Sequence, residues 1–430
     1  MDIIKPSTIA GVMELLPDSQ AVFDRMKNTI EDTFKDYGFL AIDTPVIEKN
    51  EILFAKGGGE TEKQIFEIAS ESKDMSLRFD LTVPLARYVS EHLSELNFPF
   101  KRYQIGKVYR GERNQKGRYK EFYQADIDII GNNSLSIYND ALLARVIFEA
   151  FNRINFPNIT FHINNRKLLN GFFKSIEIED STEVLRTIDK KDKIGLDKTR
   201  DLLVDLIGEE KANKTLEFIN ASEDNEKVLE KLTDFAGNDL YLEGLDELKT
   251  VYEYMVKFGV ADKNIKIDLA ITRGLDYYTS TVYETFIDGY ESIGSVCSGG
   301  RYENLASNFT KQNLPGVGMS IGLTRLFYQL QELGLVEEEK TTKADLLILP
   351  MDKEFNFYAI DVLYKLKALG KKADIYLEEG KFKKKINYAD KINTKYVVII
   401  GEEEASKNEV SIKNMETGEQ FNKSLENLDF

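Results

Sequence analysis

The 430 residues contain one cysteine, two histidines and no tryptophan. A lone thiol, Cys297, cannot close an internal disulfide, and with only His92 and His162 beside it no Cys/His zinc spacing exists. No metal site is therefore expected from the protein pattern. No apolar run reaches the roughly 18 to 20 residues that span a bilayer, and the opening MDIIKPSTIAGVMELLP has no basic segment followed by an apolar block. A cytoplasmic protein without membrane association is expected. Positive charge is also short, with a formal net charge of -16. Such a chain repels polyanions at long range, so any nucleotide or nucleic acid must be held by local basic patches. Two phosphate-binding signatures are missing as well. GVGMSIG carries Gly316, Gly318 and Gly322 but Ile321 where the dinucleotide fingerprint needs glycine, and GGGETEKQ lacks the Gly-Lys-Ser/Thr ending of a P-loop.

What is present suggests two or three domains, because the chain is too long for one ordinary core and its 42% hydrophobic content can fill several. Val22, Phe23, Met26, Ile30 and Phe34 recur at helical spacing and Gly38 follows as a stop, predicting an amphipathic helix over 21–37. FLAIDTPVIE then reads as a strand whose Pro45 suits an edge or a bulge. Residues 76–80, 101–109 and 122–130 read as further strands, the last two forming a hairpin. Asp80-Leu-Thr-Val-Pro84 reads as a strand end entering a helix, with proline in the first turn. Residues 165–262 are charged, leucine-rich and helical, an inserted module. Strands are expected again at 265–270 and 277–287, so one core comprises 1–164 and 263–335. Strand and helix patterns alternate over 342–430, an α/β domain with a mostly parallel sheet.

Several segments carry chemistry, each with a plain structural alternative. VYRGERNQKGRYKEFYQADIDIIG, Val108 to Gly131, crowds Arg110, Arg113, Lys116, Arg118 and Lys120 together. Its arginines could clamp a polyphosphate by bidentate hydrogen bonds while Phe122 stacks on a base, or the segment is a solvated loop. RGLDYYTSTVYE, Arg273 to Glu284, supplies an arginine and two tyrosines fit to recognise a polar ring, or is a turn leading into an aromatic strand with Tyr277 and Tyr278 on opposite faces. In GVGMSIGLTRL the glycines admit a ligand or a packed helix, and Arg325 falls in the following helix's first turn. In SVCSGGRYENL, Gly299-Gly300 reads as a turn and Cys297 as a small buried hydrophobe. KFKKK, Lys381 to Lys385, is a phosphate-contacting patch or a solvated face.

Taken in order, these segments resemble the histidyl-tRNA synthetases, a family of class II aminoacyl-tRNA synthetases, over nearly the whole chain. DTPVIE with Pro45 resembles the first class II motif, KVYRGERNQKGRYKEFYQADIDIIG the second and GVGMSIGLTRL the third. RGLDYYTSTVYE, SVCSGGRYENL and LRFDLTVPLARYV resemble segments peculiar to the histidine enzymes. The resemblance implies a multi-domain α/β and α+β fold: an antiparallel-sheet catalytic core with a helical insertion, plus a C-terminal α/β anticodon-binding domain. It implies an ATP-dependent ligase of protein biosynthesis that joins histidine to tRNA(His) and works as a homodimer.

A carboxylate nucleophile is ionised at neutral pH, so activation needs alignment and charge neutralisation rather than a general base. By resemblance Arg110 and Arg273 are catalytic and hold the α-phosphate region, while Arg118 and Arg325 approach the outer phosphates. Phe122 stacks under adenine, Glu112 lies near its edge, and magnesium accompanies ATP. For histidine, Asp80 and Thr82 bind the ammonium, Gln124 the carboxylate or amine end, and Asp128, Tyr277 and Tyr278 read the imidazole. A neutral imidazole offers one donor and one acceptor, so a site with partners for both discriminates strongly. The insertion is expected on the acceptor arm and KFKKK on the anticodon. The rivals are a histidine-sensing regulatory subunit of ATP phosphoribosyltransferase and a plain RNA-binding protein.

Overall fold

The computed structural model describes residues 3–56, 62–69, 74–112, 117–155, 157–220, 224–235, 237–272, 278–303, 306–336 and 344–428. The chain divides into two compact units, Met1–Glu14 with Phe23–Glu337 and Leu15–Val22 with Glu338–Phe430. In chain order the first unit contains strands β1 (Leu40–Ala41), β2 (Ile47–Lys49), β3 (Met75–Leu77), β4 (Phe100–Tyr109), β5 (Glu121–Ile130), β6 (Ile159–Asn165), β7 (Ile265–Ile267), β8 (Thr281–Ile287), β9 (Cys297–Tyr302) and β10 (Gly316–Ile321).

Eight of these form one sheet in the order β1-β4-β5-β10-β9-β8-β6-β7. Only its two outermost pairs, β1 with β4 and β6 with β7, are parallel. The β4-β5 hairpin runs in register from Phe100 opposite Ile130 to Tyr109 opposite Glu121. The helix Pro17–Asp36 buries Phe23, Met26, Ile30 and Phe34, and Gly38 with φ 78° lies just beyond its end. Phe23 meets Phe327 edge-on at 5.4 Å, tying this helix to the one that follows β10.

FLAIDTPVIE is not one strand. It breaks into β1 and β2, which belong to different sheets, with Pro45 between them. Proline has no amide to donate to a ladder. The neighbouring polar groups bond elsewhere: Asp43 accepts from Gln104 Nε2 at 3.1 Å, and the Thr44 carbonyl accepts from Arg78 Nη1 at 2.6 Å. The glycine pair 299–300 is likewise no turn; both residues lie inside β9. The strand expected from residue 277 begins at Thr281.

Residues 166–257 form a run of helices from Arg166–Ser175 to Asp239–Lys257. The Asp239–Lys257 helix packs on both Arg166–Ser175 and the helix Tyr138–Arg153. Phe172 stacks on Phe218 at 3.8 Å, with Phe235 and Tyr241 completing an aromatic cluster.

The second unit is built on β11 (Leu346–Pro350), β12 (Ala373–Ile375), β13 (Tyr396–Ile400), β14 (Glu409–Asn414) and β15 (Gln420–Ser424), ordered β12-β11-β13-β14-β15. The first three are parallel, as the alternating pattern predicts, but β13-β14-β15 are antiparallel, so the sheet is mixed. Successive residues of β11 point to opposite faces. Leu346 and Ile348 pack with Val362 and Leu366 of the helix Asn356–Ala368, whereas Leu347 and Leu349 pack with Ala389 of the helix Phe382–Lys391. Burial on both faces explains the unbroken apolar run LLILP. In KFKKK, Lys381, Lys383 and Lys384 are exposed, but Lys385 is buried and its Nζ donates to the Pro350 carbonyl at 2.7 Å. That lysine is part of the fold, not of a basic patch.

Candidate active site

A cavity of about 540 Å³ opens on the antiparallel sheet. Its floor follows from strand periodicity: on β5, Phe122, Gln124, Asp126 and Asp128 alternate with Tyr123, Ala125 and Ile127 and so share a face. Phe122, Gln124 and Asp126 line the cavity. Asp128 lies beyond them in an adjoining recess of about 20 Å³, whose walls include Thr82, Asp126, Tyr278, Tyr302 and Ser320.

Arg110 follows the end of β4. Its Nε donates to the Phe79 carbonyl at 3.2 Å, and its guanidinium lies 4.4 Å from the Phe79 ring centre and 5.1 Å from that of Phe122. Burial lowers its pKa while Asp80 and Glu112 oppose the shift, and an arginine in that range stays a cation. The two rings fix a positive charge beside the surface on which an aromatic base can stack. Arg118 Nη1 donates to Glu112 Oε2 at 3.2 Å, and Arg325 Nη2 to the Ile293 carbonyl at 2.8 Å; Arg118, Glu112 and Arg325 line the cavity.

At the other end Asp80 Oδ1 accepts from the amides of Thr82 at 3.0 Å and Val83 at 2.9 Å, which anchors it on the first turn of the helix Thr82–Glu91. Gln124 Nε2 donates to Ser320 Oγ at 2.8 Å, and its Oε1 is buried without a hydrogen-bond partner among the described residues. Asp128 is held on both sides: Oδ2 lies 2.5 Å from Arg102 Nη2, and Oδ1 accepts from the Tyr302 hydroxyl at 2.9 Å. Gly318, opposite it on β10, leaves room for that carboxylate, since a Cβ there would stand 2.0 Å from Asp128 Oδ1. A Cβ on Gly300 would meet the Tyr278 ring at 2.7 Å, so β9 needs glycine where the tyrosine lies against it. Burial raises the pKa of both Tyr278 and Tyr302, keeping them neutral hydroxyls.

Asp126 is the strongly perturbed acid of the site. Burial pushes it up to about 7, with the charge of Arg102 and a hydrogen bond from Ser320 opposing. Arg102 from β4, Asp128 from its own strand, Asp80 ahead of the helix, Arg78, Arg110, Tyr278 and Cys297 are the charged or titratable groups around it. Cys297 is 2% exposed and burial raises its thiol well above the ordinary value, so it is a packed apolar residue, as read from the sequence.

The structure therefore brings together Asp80, Thr82, Arg110, Glu112, Arg118, Phe122, Gln124, Tyr278 and Arg325, and sets Asp128 one step deeper. Arg273 and Tyr277, with Arg113 and Lys116 of the basic loop, lie outside the described residues. The residues flanking 273–277 are held by the end of β6, by Arg166 at the start of the helix that follows it and by Glu247 of the helix Asp239–Lys257. Asn164 Nδ2 donates to the Ile271 carbonyl at 3.0 Å, Arg166 Nη2 donates to that of Thr272, and the Arg166 amide donates to that of Ser280 at 2.8 Å. Glu247 accepts from Ser280 Oγ at 2.5 Å and Asn165 Nδ2 at 2.8 Å. Sequence reasoning missed Asp126, Tyr302, Ser320 and Glu284. The alternation within QADID could have revealed Asp126, because it places that residue on the face shared by Gln124 and Asp128.

Among the described residues no group of three His, Cys, Asp or Glu side chains is arranged to hold a metal ion. No described helix is long and apolar enough to cross a membrane.

Comparison with known proteins adds to this geometry. The family model for histidyl-tRNA synthetase matches residues 11–326, and that for an anticodon binding domain matches 345–429. The histidine--tRNA ligase of Clostridium tetani is 54% identical over 428 residues, 99% of this chain and 97% of that protein. The crystal structure of histidyl-tRNA synthetase from Nostoc sp. PCC 7120 superposes with a TM-score of 0.88 at 36% identity, covering 98% of this chain and 97% of that one. A Bacillus halodurans chain described as an ATP phosphoribosyltransferase regulatory subunit/histidyl-tRNA synthetase superposes at 0.77 with 19% identity, over 93% and 99% of the two chains. That last likeness shows a shared fold only.

Proposed function

The chain belongs to the histidyl-tRNA synthetase family and is a histidine–tRNA ligase, and from that premise we propose how its residues divide the reaction. Histidine is activated with ATP to the adenylate, the histidyl group passes to the 3' end of tRNA, and AMP and diphosphate leave. In the first step the histidine carboxylate attacks the α-phosphorus. That carboxylate is already ionised, and among the described residues lining the cavity there is no histidine to act as a base. Rate must come from alignment and from cations aimed at the growing charge.

Arg110 is a catalytic cation in this reading, supported by its place on the cavity wall between the Phe79 and Phe122 rings, and Arg273 is assigned the same task by family resemblance. Phe122 carries the adenine, Glu112 its edge, and Arg118 and Arg325 the outer phosphates. Asp80 and Thr82 hold the ammonium, Gln124 fixes the carboxylate end, and the Tyr278 end of the main cavity takes the imidazole, which Asp128 and Tyr278 read together with Tyr277, assigned by resemblance. Magnesium enters with ATP, where it neutralises phosphate charge; the hard carboxylate oxygens of Glu284 on the cavity wall suit it. The observation that carries this reading is that one cavity joins the Arg110–Phe122 clamp to the Asp80–Thr82–Gln124 end.

Residues 1–164 and 263–335 form the catalytic core in this reading, 165–262 an insertion that meets the acceptor arm of tRNA(His), and 342–430 the anticodon-binding domain. The exposed Lys381, Lys383 and Lys384 are its anticodon-side cations. A cytoplasmic location is proposed with the ligase reaction, and a homodimer is proposed on the exposed apolar side chains Val46 and Ile47 in the first motif and Leu40 just ahead of it. Incubation with ATP, histidine and tRNA(His) tests the whole scheme: one AMP should form per histidyl-tRNA. Histidine binding without either product would instead favour a regulatory subunit.

A further inference from the structure

None of the described residues lining the main cavity comes from the helical run 166–257, yet that run holds the segment that carries Tyr278. The link is Glu247, on the helix Asp239–Lys257. Its carboxylate accepts from three elements: Asn165 Nδ2 at 2.8 Å at the end of β6, Lys167 Nζ at 2.6 Å on the next helix, and Ser280 Oγ at 2.5 Å just ahead of β8. Burial would raise its pKa, but these three hydrogen bonds outweigh burial and hold the carboxyl below its ordinary value. Glu247 is therefore an anion at neutral pH. Asn165 and Ser280 are fully buried, so the carboxylate that bridges them fixes one against the other. Its own helix is seated closely. A Cβ on Gly244 would stand 2.1 Å from the Leu168 amide nitrogen, and one on Gly171 2.4 Å from that of Tyr241. Glu247, three residues after Gly244, shares its side of the helix. From Ser280 the chain runs back to the cavity over fixed points: the Thr279 amide donates to the Arg301 carbonyl of β9 at 2.8 Å, and the Tyr278 ring lies against Gly300.

We propose that Glu247 is a positioning residue for histidine activation: through Ser280 it sets the segment carrying Tyr278 against the cavity, so the helical insertion shapes a substrate site that it does not enter. This deepens the ligase reading and rests on it. Alignment of the reactants supplies much of the rate where no general base is needed, and a small displacement of a wall residue is costly. The insertion thus has a part in the first step of the reaction, before any RNA is present.

The test is histidine-dependent ATP–pyrophosphate exchange without tRNA, with a melting temperature for each protein. It compares the wild-type full chain with Glu247→Ala, Glu247→Gln, Ser280→Ala, the Glu247→Ala/Ser280→Ala double variant and Phe218→Leu. The last loosens the aromatic cluster of the same run, where Phe218 stacks on Phe172, without touching the Glu247 bonds. Loss of the charged acceptor predicts kcat/KM for histidine lowered about 10- to 100-fold in Glu247→Ala. The KM for ATP should stay within about threefold of wild type. Glu247→Gln keeps an acceptor for Ser280 and should recover most of the activity. The double variant should be no worse than Glu247→Ala, because the two side chains act as one unit. Phe218→Leu should melt lower yet keep kcat/KM within about twofold of wild type. Wild-type exchange in Glu247→Ala, or a loss that Phe218→Leu matches at equal loss of melting temperature, would overturn the proposal. Should Glu247→Ala fail to fold, Ser280→Ala against Phe218→Leu decides by the same criterion. Absence of exchange in the wild type would overturn the ligase reading itself, a distinguishable result.

Discussion

The two sheets solve opposite problems. In the C-terminal unit β11 and β13 are buried on both faces by aliphatic side chains, and Lys381, Lys383 and Lys384 stand outside. In the catalytic core the central strands bury Arg102, Gln104, Asp126, Asp128 and Arg301. Apolar burial stabilises a sheet at about 25 cal/mol per Å², whereas a buried charge costs free energy unless it is paired. The core meets that cost with specific partners: Arg102 on Asp128, and Arg301 on Asp140 at 2.5 Å. A sheet that presents groups to a substrate gives up the packing that a scaffold sheet can keep. Chemistry and stability should therefore respond to different substitutions.

The largest effect should come from Arg110→Ala. Removing a preorganised cation from the reacting charge is expected to lower kcat for histidine-dependent pyrophosphate exchange by about 10²- to 10³-fold. The melting temperature should move less than the activity, because among the described residues the side chain meets the fold through one hydrogen bond to the Phe79 carbonyl and the Phe79 and Phe122 rings. A variant that loses stability in proportion to activity would place Arg110 with the scaffold residues.

Leu347→Ala sharpens the contrast from the other side. Leu347 is fully buried in β11, and its truncation should destabilise the C-terminal unit by about 2–5 kcal/mol. Charging of tRNA should fall near that unit's new melting temperature while pyrophosphate exchange persists. Parallel loss of both activities would show that the two sheets are not separable in function.

The smallest of these effects concerns Asp126 and pH. Its folded pKa of about 7 stands above the ordinary carboxylate value of 3.8. Between those values the folded state holds more protons than the unfolded one, so this group's contribution to stability declines as pH rises through that window. Asp126→Asn should raise the apparent Tm by a few degrees at pH 8, with the gain shrinking as pH falls toward 5. A gain independent of pH would mean that the carboxylate is not the titrating group.

Much of the fold was legible because its signals are local. The β4-β5 hairpin follows from apolar alternation, the Pro17–Asp36 helix from its spacing, and the parallel part of the C-terminal sheet from alternating apolar runs. The β13-β14-β15 meander was not, since NEVSIKN and EQFNKS are largely polar segments whose pairing depends on tertiary contacts. The glycine pair of β9 reads as a turn in isolation, and what explains it is tertiary: β10 packed against Gly299 and the Tyr278 ring against Gly300. Lys385 looks like its neighbours until Nζ is seen on the Pro350 carbonyl. At the site, motif resemblance named Arg110, Phe122 and Gln124, which line the cavity. It did not name Asp126, because whether a carboxylate is open or already paired is a property of the assembled sheet.

The account turns on the core sheet reading histidine and aligning it with ATP, and pyrophosphate exchange with each of the twenty amino acids in turn, without tRNA, tests that most directly. Exchange with histidine alone is the predicted result. Exchange with several amino acids, or with none in a folded preparation that binds histidine, would contradict it.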